Sequence, residues 1–431
     1  MAKQAGDGRD RWSWTEATVW TERMLTALET GVKGGVWFSL IDKVWRLENL
    51  RAAFAKVKSN RGAPGIDHTT IEMFEQRLEQ NLVRLSQTLR GGTYRPHAIR
   101  RTWIEKPGTR EQRPLGIPAV RDRVVETALR NVIEPIFERD FAAHSYGFRP
   151  GRGCKDAIHR VTGLLQAGHV HVVDADLKSY FDTIPHSDLM ALVREKIADG
   201  RVLQLLETLL TRDVRDADKQ WAPERGVPQG AVVSPMLANL YLNPLDHSLA
   251  EQDVEMVRYA DDFVILCRSR EAAEQALDQV REWTARAGLT LHPDKTRLVD
   301  AREAGGFDFL GYHFEGGKRW PRDKSVQQLR DAVRAKTPRK RGYSIQCIIS
   351  DVNRSLRGWF EYFKLGSYLS DYRKLDQWIR MRLRSILRRR RKRKGRGRGK
   401  DHQRWPDRYF ADNGLFALLD AYLLVRQSAE R

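Results

Sequence analysis

Residues 254–267 read V-E-M-V-R-Y-A-D-D-F-V-I-L-C, and no other stretch constrains the fold as strongly. Two adjacent carboxylates, Asp261 and Asp262, separate an apolar approach (Val254, Met256, Val257) from an apolar exit (Phe263, Val264, Ile265, Leu266). The flanks predict two short strands with the aspartates between them. Carboxylates carried into apolar surroundings are costly unless paired or bound to metal. A hairpin turn and a metal site both fit this pattern taken alone.

A second acidic strand lies upstream. V-V-D-A-D-L-K-S-Y-F-D, 172–182, carries Asp174, Asp176 and Asp182. Alternation of period two puts Asp174 and Asp176 on one face. Phosphoryl transfer by two metals needs two Mg²⁺ ions about 3.5–4 Å apart, clamping the attacking and leaving oxygens. Mg²⁺ takes hard oxygen ligands and few protein carboxylates, with substrate phosphates completing its shell. Aspartates on neighbouring strands would meet that need.

Charge points the same way. The 431 residues hold 76 Lys+Arg against 56 Asp+Glu, a net charge of +20. Such an excess calls for a polyanionic partner, most simply nucleic acid. A membrane surface is the rival, but no apolar run approaches the roughly 18 residues of a spanning helix. The polar N-terminus M-A-K-Q-A-G-D-G-R-D carries no signal peptide, so cytoplasmic residence is expected. Cys154, Cys267 and Cys347 are far apart in sequence, which argues against a disulfide framework or a cysteine-rich zinc site.

The length suits about two to four domains. Periodicity predicts helices over 16–28, 40–58, 70–90, 121–137, 185–210, 232–250 and 271–287, and strands over 99–105 and 169–177. K-P-G-T-R-E-Q-R-P-L-G, 106–116, reads as a turn-rich basic segment. Beyond residue 320 only helical or irregular patterning remains. The fold class expected is α+β. From Arg380 to Lys400, 13 of 21 residues are basic and none is acidic. Trp359, Phe360, Tyr362, Phe363 and Tyr368 precede that run, either as the core of a helical domain or as surfaces that stack on unpaired bases.

At this point a resemblance emerges. Y-A-D-D-F-V-I-L looks like the signature hairpin of reverse transcriptases, and D-L-K-S-Y-F-D resembles their first catalytic strand. G-V-P-Q-G-A-V-V-S-P, K-P-G-T-R-E-Q-R-P-L-G, H-S-Y-G-F-R-P-G-R-G, G-L-T-L-H-P-D-K-T and F-D-F-L-G-Y-H-F follow the same family order. The resemblance implies a right-hand polymerase fold with an α-helical thumb/maturase domain. It implies Asp176, Asp261 and Asp262 as catalytic metal ligands, with the Leu177 carbonyl beside them. It further implies Lys106, Arg113, Phe181, Gln229 and Lys295 at the nucleotide, Phe181 excluding a 2′-hydroxyl. Arg149, Gly230, Tyr259, Leu310 and Gly311 would lie at template or primer. Asp174 and Asp182 match no metal position.

Among reverse transcriptases, the proteins encoded by group II introns fit best. G-V-K-G-G-V-W-F-S-L-I-D-K-V and N-R-G-A-P-G-I-D resemble their N-terminal extension, and I-I-S-D-V-N-R-S-L-R-G-W-F-E-Y-F resembles their maturase region. The implied division is an N-terminal extension over 1–75, fingers and palm over 76–325, a thumb/maturase domain over 326–394 and a basic DNA-binding segment over 395–431. Arg388, Arg389, Arg390, Arg391, Lys392, Arg393 and Lys394 would grip nucleic acid. With no C-x-x-C pair, the chain looks like the endonuclease-less kind. Expected partners are the intron RNA, an RNA template with DNA primer, target DNA and dNTPs; expected cofactors are two Mg²⁺ ions, with Mn²⁺ as a substitute. A homodimer stays open, as does a domesticated enzyme in phage defence or CRISPR adaptation, or a splicing factor that does not need polymerase activity.

Overall fold

The computed structural model describes residues 11–32, 34–105, 112–251, 254–340, 342–393, 395 and 399–429. They form two compact units, which divide between Leu298 and Val299.

In the first unit the helix Val120–Glu138 is the spine. Sixteen of its 19 residues are buried, so it is covered on every side instead of showing an amphipathic stripe. A polar seam fixes its neighbours. Asn49, on the helix Leu47–Ser59, donates to the Ala128 carbonyl at 3.0 Å and accepts from Asn131 at 2.8 Å; the Trp20 indole donates to the Asn131 carbonyl at 2.9 Å. The buried amides of Asn49 and Asn131 and the Trp20 indole are thereby paired.

Two four-stranded sheets belong to this part of the chain. One has the order β2-β1-β4-β5, from β1 (Ile99–Glu105), β2 (Gln112–Ile117), β4 (Val214–Asp216) and β5 (Lys219–Trp221). The other has the order β6-β7-β3-β8, from β3 (His171–Asp176), β6 (Glu255–Tyr259), β7 (Asp262–Cys267) and β8 (Arg297–Asp300). Along β3, Val173 and Ala175 point into the core while Asp174 and Asp176 share the half-buried face. The helix Arg270–Arg286 brings Ala273, Ala276, Leu277 and Val280 into the same core, with the Ser269 hydroxyl capping its start.

The second unit holds a meander of β9 (Phe307–Phe309), β10 (Tyr312–Glu315) and β11 (Lys318–Pro321), then helices. Phe307 and Phe314 stack at 5.0 Å. The helices Asp323–Lys336, Ile345–Phe363, Leu369–Arg390 and Leu418–Ala429 enclose a core of Val333, Ile348, Val352, Leu356, Ile379 and Tyr422. Phe360 and Phe363 are buried, so of the two readings of this aromatic cluster they take the core one. The last strand ends at Pro321, and helices follow.

Several local expectations differ from the structure; helix 40–58, for one, is Ile41–Val44 and Leu47–Ser59. Half of the turn-rich segment is strand: 112–117 pairs with β1 along its length. The β4–β5 hairpin had no sequence signal, being short and largely exposed. Helix 70–90 is two helices, Ile71–Glu75 and Leu78–Arg90, interrupted at Gln76–Arg77.

Candidate active site

The register of β6 against β7 pairs Tyr259 with Asp262, leaving Ala260 and Asp261 as a two-residue turn. Ala260 has φ +60°, a left-handed conformation that costs a residue with a Cβ about 1–2 kcal/mol. Such strain persists only where the surroundings over-determine it. Beside the turn, burial and the neighbouring Cys154 push the Tyr259 hydroxyl up to about 12.

The register of β3 against β7 sets Asp176 directly opposite Asp262. Asp261, on the turn, is close enough to sense Asp176: burial, and secondarily the Asp176 charge, raise its carboxyl above the usual range, while Arg113 and Arg258 pull it down. Lys295 Nζ lies 2.5 Å from Asp176 Oδ2, and Arg297 Nε lies 3.2 Å from Asp174 Oδ2. Leu177 bridges Leu291, with Lys178 N–H on the Thr290 carbonyl and His292 N–H on the Asp176 carbonyl. In that pattern the Leu177 carbonyl points away from Leu291.

Like-charged carboxylates crowded at one strand end, in apolar surroundings, suit a divalent cation that takes hard oxygens. Among the described residues no three His, Cys, Asp or Glu side chains converge closely enough to hold a metal by themselves. Ligands from a bound nucleotide would have to complete such a site.

The next layer meets the 226–230 loop. Arg113 Nη2 donates to Gln229 Oε1 at 3.2 Å, and Gln229 Nε2 lies 3.5 Å from Asp182 Oδ2. Burial raises the Asp182 carboxyl. The Gly116 N–H donates to the Gln229 carbonyl at 2.6 Å. Gly230 has φ +104°, and a Cβ there would sit 2.3 Å from the Gly116 carbonyl oxygen, so only glycine fits. The Phe181 carbonyl accepts from Val227 N–H at 2.7 Å, and its ring lies edge-on to Tyr180 at 5.6 Å. Lys106 lies outside the described residues.

Arg149 departs from its expected place at template or primer. Its side chain is buried and fully engaged: Nε and Nη2 grip Glu138 at 2.7–3.0 Å, and Nη1 donates to the Ala142 and Ser145 carbonyls at 2.5 and 2.8 Å. It ties the 141–149 loop together and has no face left for a phosphate.

Sequence reasoning passed over two buried ion pairs. Arg258 and Asp246 lie beneath the aspartate turn, both fully buried, with Nη2–Oδ2 at 2.5 Å. Arg212 and Glu126 lie beneath the 226–232 loop at 2.6 Å, and Glu126 Oε2 also accepts the Val232 N–H at 2.6 Å. Glu126 sits among Val124, Val125, Ala128 and Leu129, but the same helix also carries Asp122, Arg123 and Glu134, so sequence offered no signal that singled it out.

In the second unit, Leu310 (φ +47°) and Gly311 (φ +80°) form the β9–β10 turn, whose carbonyls accept from Tyr362 Oη at 2.9 Å and Ser325 Oγ at 3.1 Å. Arg388 is half-buried against Asp401, while Arg389, Arg390, Arg391, Lys392 and Arg393 are exposed. Lys394 lies outside the described residues.

Comparison with known proteins bears on the family. Residues 104–314 match the family of reverse transcriptases (RNA-dependent DNA polymerases), and residues 326–405 match the maturase-specific domain of group II introns. Protein YkfC of Escherichia coli is 35% identical over 59% of this chain and 77% of its own length. The group II intron-encoded protein LtrA of Lactococcus lactis is 36% identical over 45% of this chain and 32% of its own length. A putative COX1/OXI3 intron 1 protein of Saccharomyces cerevisiae is 30% identical over 49% of this chain and 25% of its own length. A chain of a Cas6-RT-Cas1–Cas2 complex matches at 24% identity over 57% of this chain and 42% of that one, with TM-score 0.37.

The fold and the matched domains define a reverse transcriptase. The chain belongs to the group II intron reverse transcriptase/maturase family and is an RNA-directed DNA polymerase that carries a splicing-maturase domain. Reverse transcriptases of this kind use divalent metal ions, and the maturase domain implies an intron RNA partner. No helix among the described residues is long and apolar enough to cross a membrane.

Proposed function

We propose that this protein adds dNMP units to a DNA 3′-hydroxyl on an RNA template, with Mg²⁺ held by Asp176, Asp261 and Asp262 and by the Leu177 carbonyl. One observation carries the assignment: the β3, β6 and β7 registers bring Asp176 to one strand end with Asp261 and Asp262, 85 and 86 residues away in sequence. Bound Mg²⁺ would polarise the attacking oxygen and neutralise charge on the leaving pyrophosphate.

The chain's own residues do the rest. Asp176 and Asp262 are presented by paired strands, so their separation is fixed before substrate arrives. Arg113, with Lys106, neutralises the triphosphate, and Gln229 orients the nucleotide from the loop that Gly230 lets approach β2. Phe181, pinned through its carbonyl to Val227, closes the space that a 2′-hydroxyl would need. Lys295, with Nζ 2.5 Å from Asp176 Oδ2, holds that side chain in place until metal and nucleotide bind. Tyr259 lines the primer end, and Leu310 and Gly311 present a primer-contacting turn.

We divide the chain into an N-terminal extension (1–75), fingers and palm (76–325), thumb/maturase (326–394) and a basic segment (395–431). The two family matches, 104–314 and 326–405, support the boundary between palm and thumb/maturase. The maturase helices bind the parent intron RNA and steady its spliceable fold, and the exposed cations Arg389, Arg390, Arg391, Lys392 and Arg393 hold target DNA. Copying of that RNA into cDNA during intron mobility follows, in the cytoplasm.

Asp261→Ala separates the two activities. Primer extension on an RNA template is expected to disappear, with intron-RNA affinity and splicing support unchanged. Loss of RNA binding together with extension would mean that the aspartates hold the fold and do not carry the chemistry.

A further inference from the structure

Arg258 is invisible to motif reasoning, yet it is the largest fully buried side chain among the described residues. It spends its whole fork on three partners. Nε and Nη2 hold Asp246 at 2.7 and 2.5 Å, and Nη1 donates to Asn239 Oδ1 at 2.9 Å and to the Ala260 carbonyl at 2.8 Å. Asp246 and Asn239, both on the helix Ser234–Ala250, are themselves buried. Asn239 passes the chain of bonds on, donating from Nδ2 to the Gly147 carbonyl at 2.7 Å. Gly147 closes the circuit: a Cβ there would fall 2.3 Å from Ala260 N. The Arg258 backbone is held too, accepting from Tyr146 N–H at 2.8 Å and donating to the His144 carbonyl at 3.0 Å.

Stability alone does not account for this device. A buried ion pair is commonly replaced by apolar residues of similar volume at little or no cost, because desolvation consumes the Coulombic gain. Four donors aimed from one planar group at a helix and at a turn instead fix their relative position, which a lysine's compact ammonium cannot do. The turn they reach is strained at Ala260 and carries Asp261.

We propose that Arg258 is a positioning residue for catalysis: braced by Asp246 and Asn239, it locks the Ala260–Asp261 turn in the one conformation that presents Asp261 to a divalent cation. This rests on the reading of Asp261 as a metal ligand. Arg258 never touches substrate and acts through the Ala260 carbonyl. Partners one layer behind a metal ligand typically command about 10–100-fold in affinity or activity, and misplacement of a reacting group by about 1 Å costs on the order of 10²-fold in rate.

The test replaces the pair in the full chain by Arg258→Met/Asp246→Leu, which leaves no unpaired buried charge. The variant is expected to fold with a Tm near that of the parent and to bind primer–template equally well. Its kcat for extension falls about 100-fold, and its Mg²⁺ midpoint rises about tenfold. Two readouts do not depend on turnover: hydrogen exchange at the amides of 260–262 quickens, and Mn²⁺ binding to the ternary complex, followed by EPR, weakens. A folded variant with parental exchange, Mn²⁺ affinity and Mg²⁺ midpoint overturns the proposal. If the double variant does not fold, Arg258→Lys answers the same question, since it keeps a cation against Asp246 but loses the bond to Ala260: a raised Mg²⁺ midpoint supports the proposal and a parental one overturns it. Asp261→Asn, assayed in parallel, tests the underlying reading separately. Full extension by that variant sinks the site assignment, whereas its loss beside an unaffected pair variant sinks only the role of Arg258.

Discussion

Asp176 and Asp262 face each other across the antiparallel strands β3 and β7. Directly opposed residues in such a pair lie with Cβ atoms about 4.5–5.5 Å apart, and like charges there are destabilising. The sheet therefore holds together a charge arrangement that it would relax if it could.

Asp261 reports the same tension through its titration. Its folded pKa is raised, by burial first and the Asp176 charge second, above the value in the unfolded chain. The folded state thus binds that proton more tightly, and stability falls as pH rises from the unfolded carboxylate range through the raised folded value. Asp261→Asn is expected to show a higher Tm than the parent at pH 7 without divalent metal, the gap closing below about pH 4. Thermal melts across pH check this. A lower Tm for the variant at pH 7 would contradict it.

Gly230 supports the contact between the 226–230 loop and β2. Gly230→Ala places a Cβ 2.3 Å from the Gly116 carbonyl oxygen and forces alanine to φ +104°. The loop must shift, carrying Gln229 with it. Steady-state kinetics should show KM for dNTP raised about tenfold or more, with primer–template affinity unchanged.

Glu126 anchors the start of the next helix by taking both the Arg212 guanidinium and the Val232 N–H. Glu126→Ala leaves a cation buried without its partner, a loss of about 3–5 kcal/mol. Chemical denaturation should read that loss. Glu126→Ala/Arg212→Met should recover most of it, since no lone charge remains.

If the exposed cations Arg389, Lys392 and Arg393 hold nucleic acid as proposed, they act on phosphates without reading sequence. Replacing all three by glutamine should weaken nucleic-acid binding evenly across sequences. The slope of log K against log salt should fall by roughly 2–3, at about 0.7–0.9 per lost phosphate contact. Binding isotherms at several salt concentrations measure it; an unchanged slope would place the contact elsewhere.

Much of the site was legible because its signals are local. Period-two alternation put Asp174 and Asp176 on one face, and the apolar flanks marked the two strands around Asp261 and Asp262. Strand Ile99–Glu105 and helix Val120–Glu138 were also legible, the strand from its loose alternation and the helix from the recurrence of Val124, Val125, Ala128, Leu129, Val132 and Ile133 at helical spacings. Weak, exposed strands such as Lys219–Trp221 write none.

Arg149 and Arg258 mark the limit. Both are arginines beside a motif in a strongly basic chain, and sequence offers no way to tell one that meets solvent from one that is buried. The neighbours that decide it, Glu138 for Arg149 and Asp246 for Arg258, lie 11 and 12 residues away on other elements. By itself, the sequence determined which residues could do the chemistry, because charge, polarity and short-range period are properties of the chain. The tertiary structure decided which arginine serves as a brace and which carboxylates stand opposed, because the desolvation that selects between those roles exists only once distant segments have closed over them.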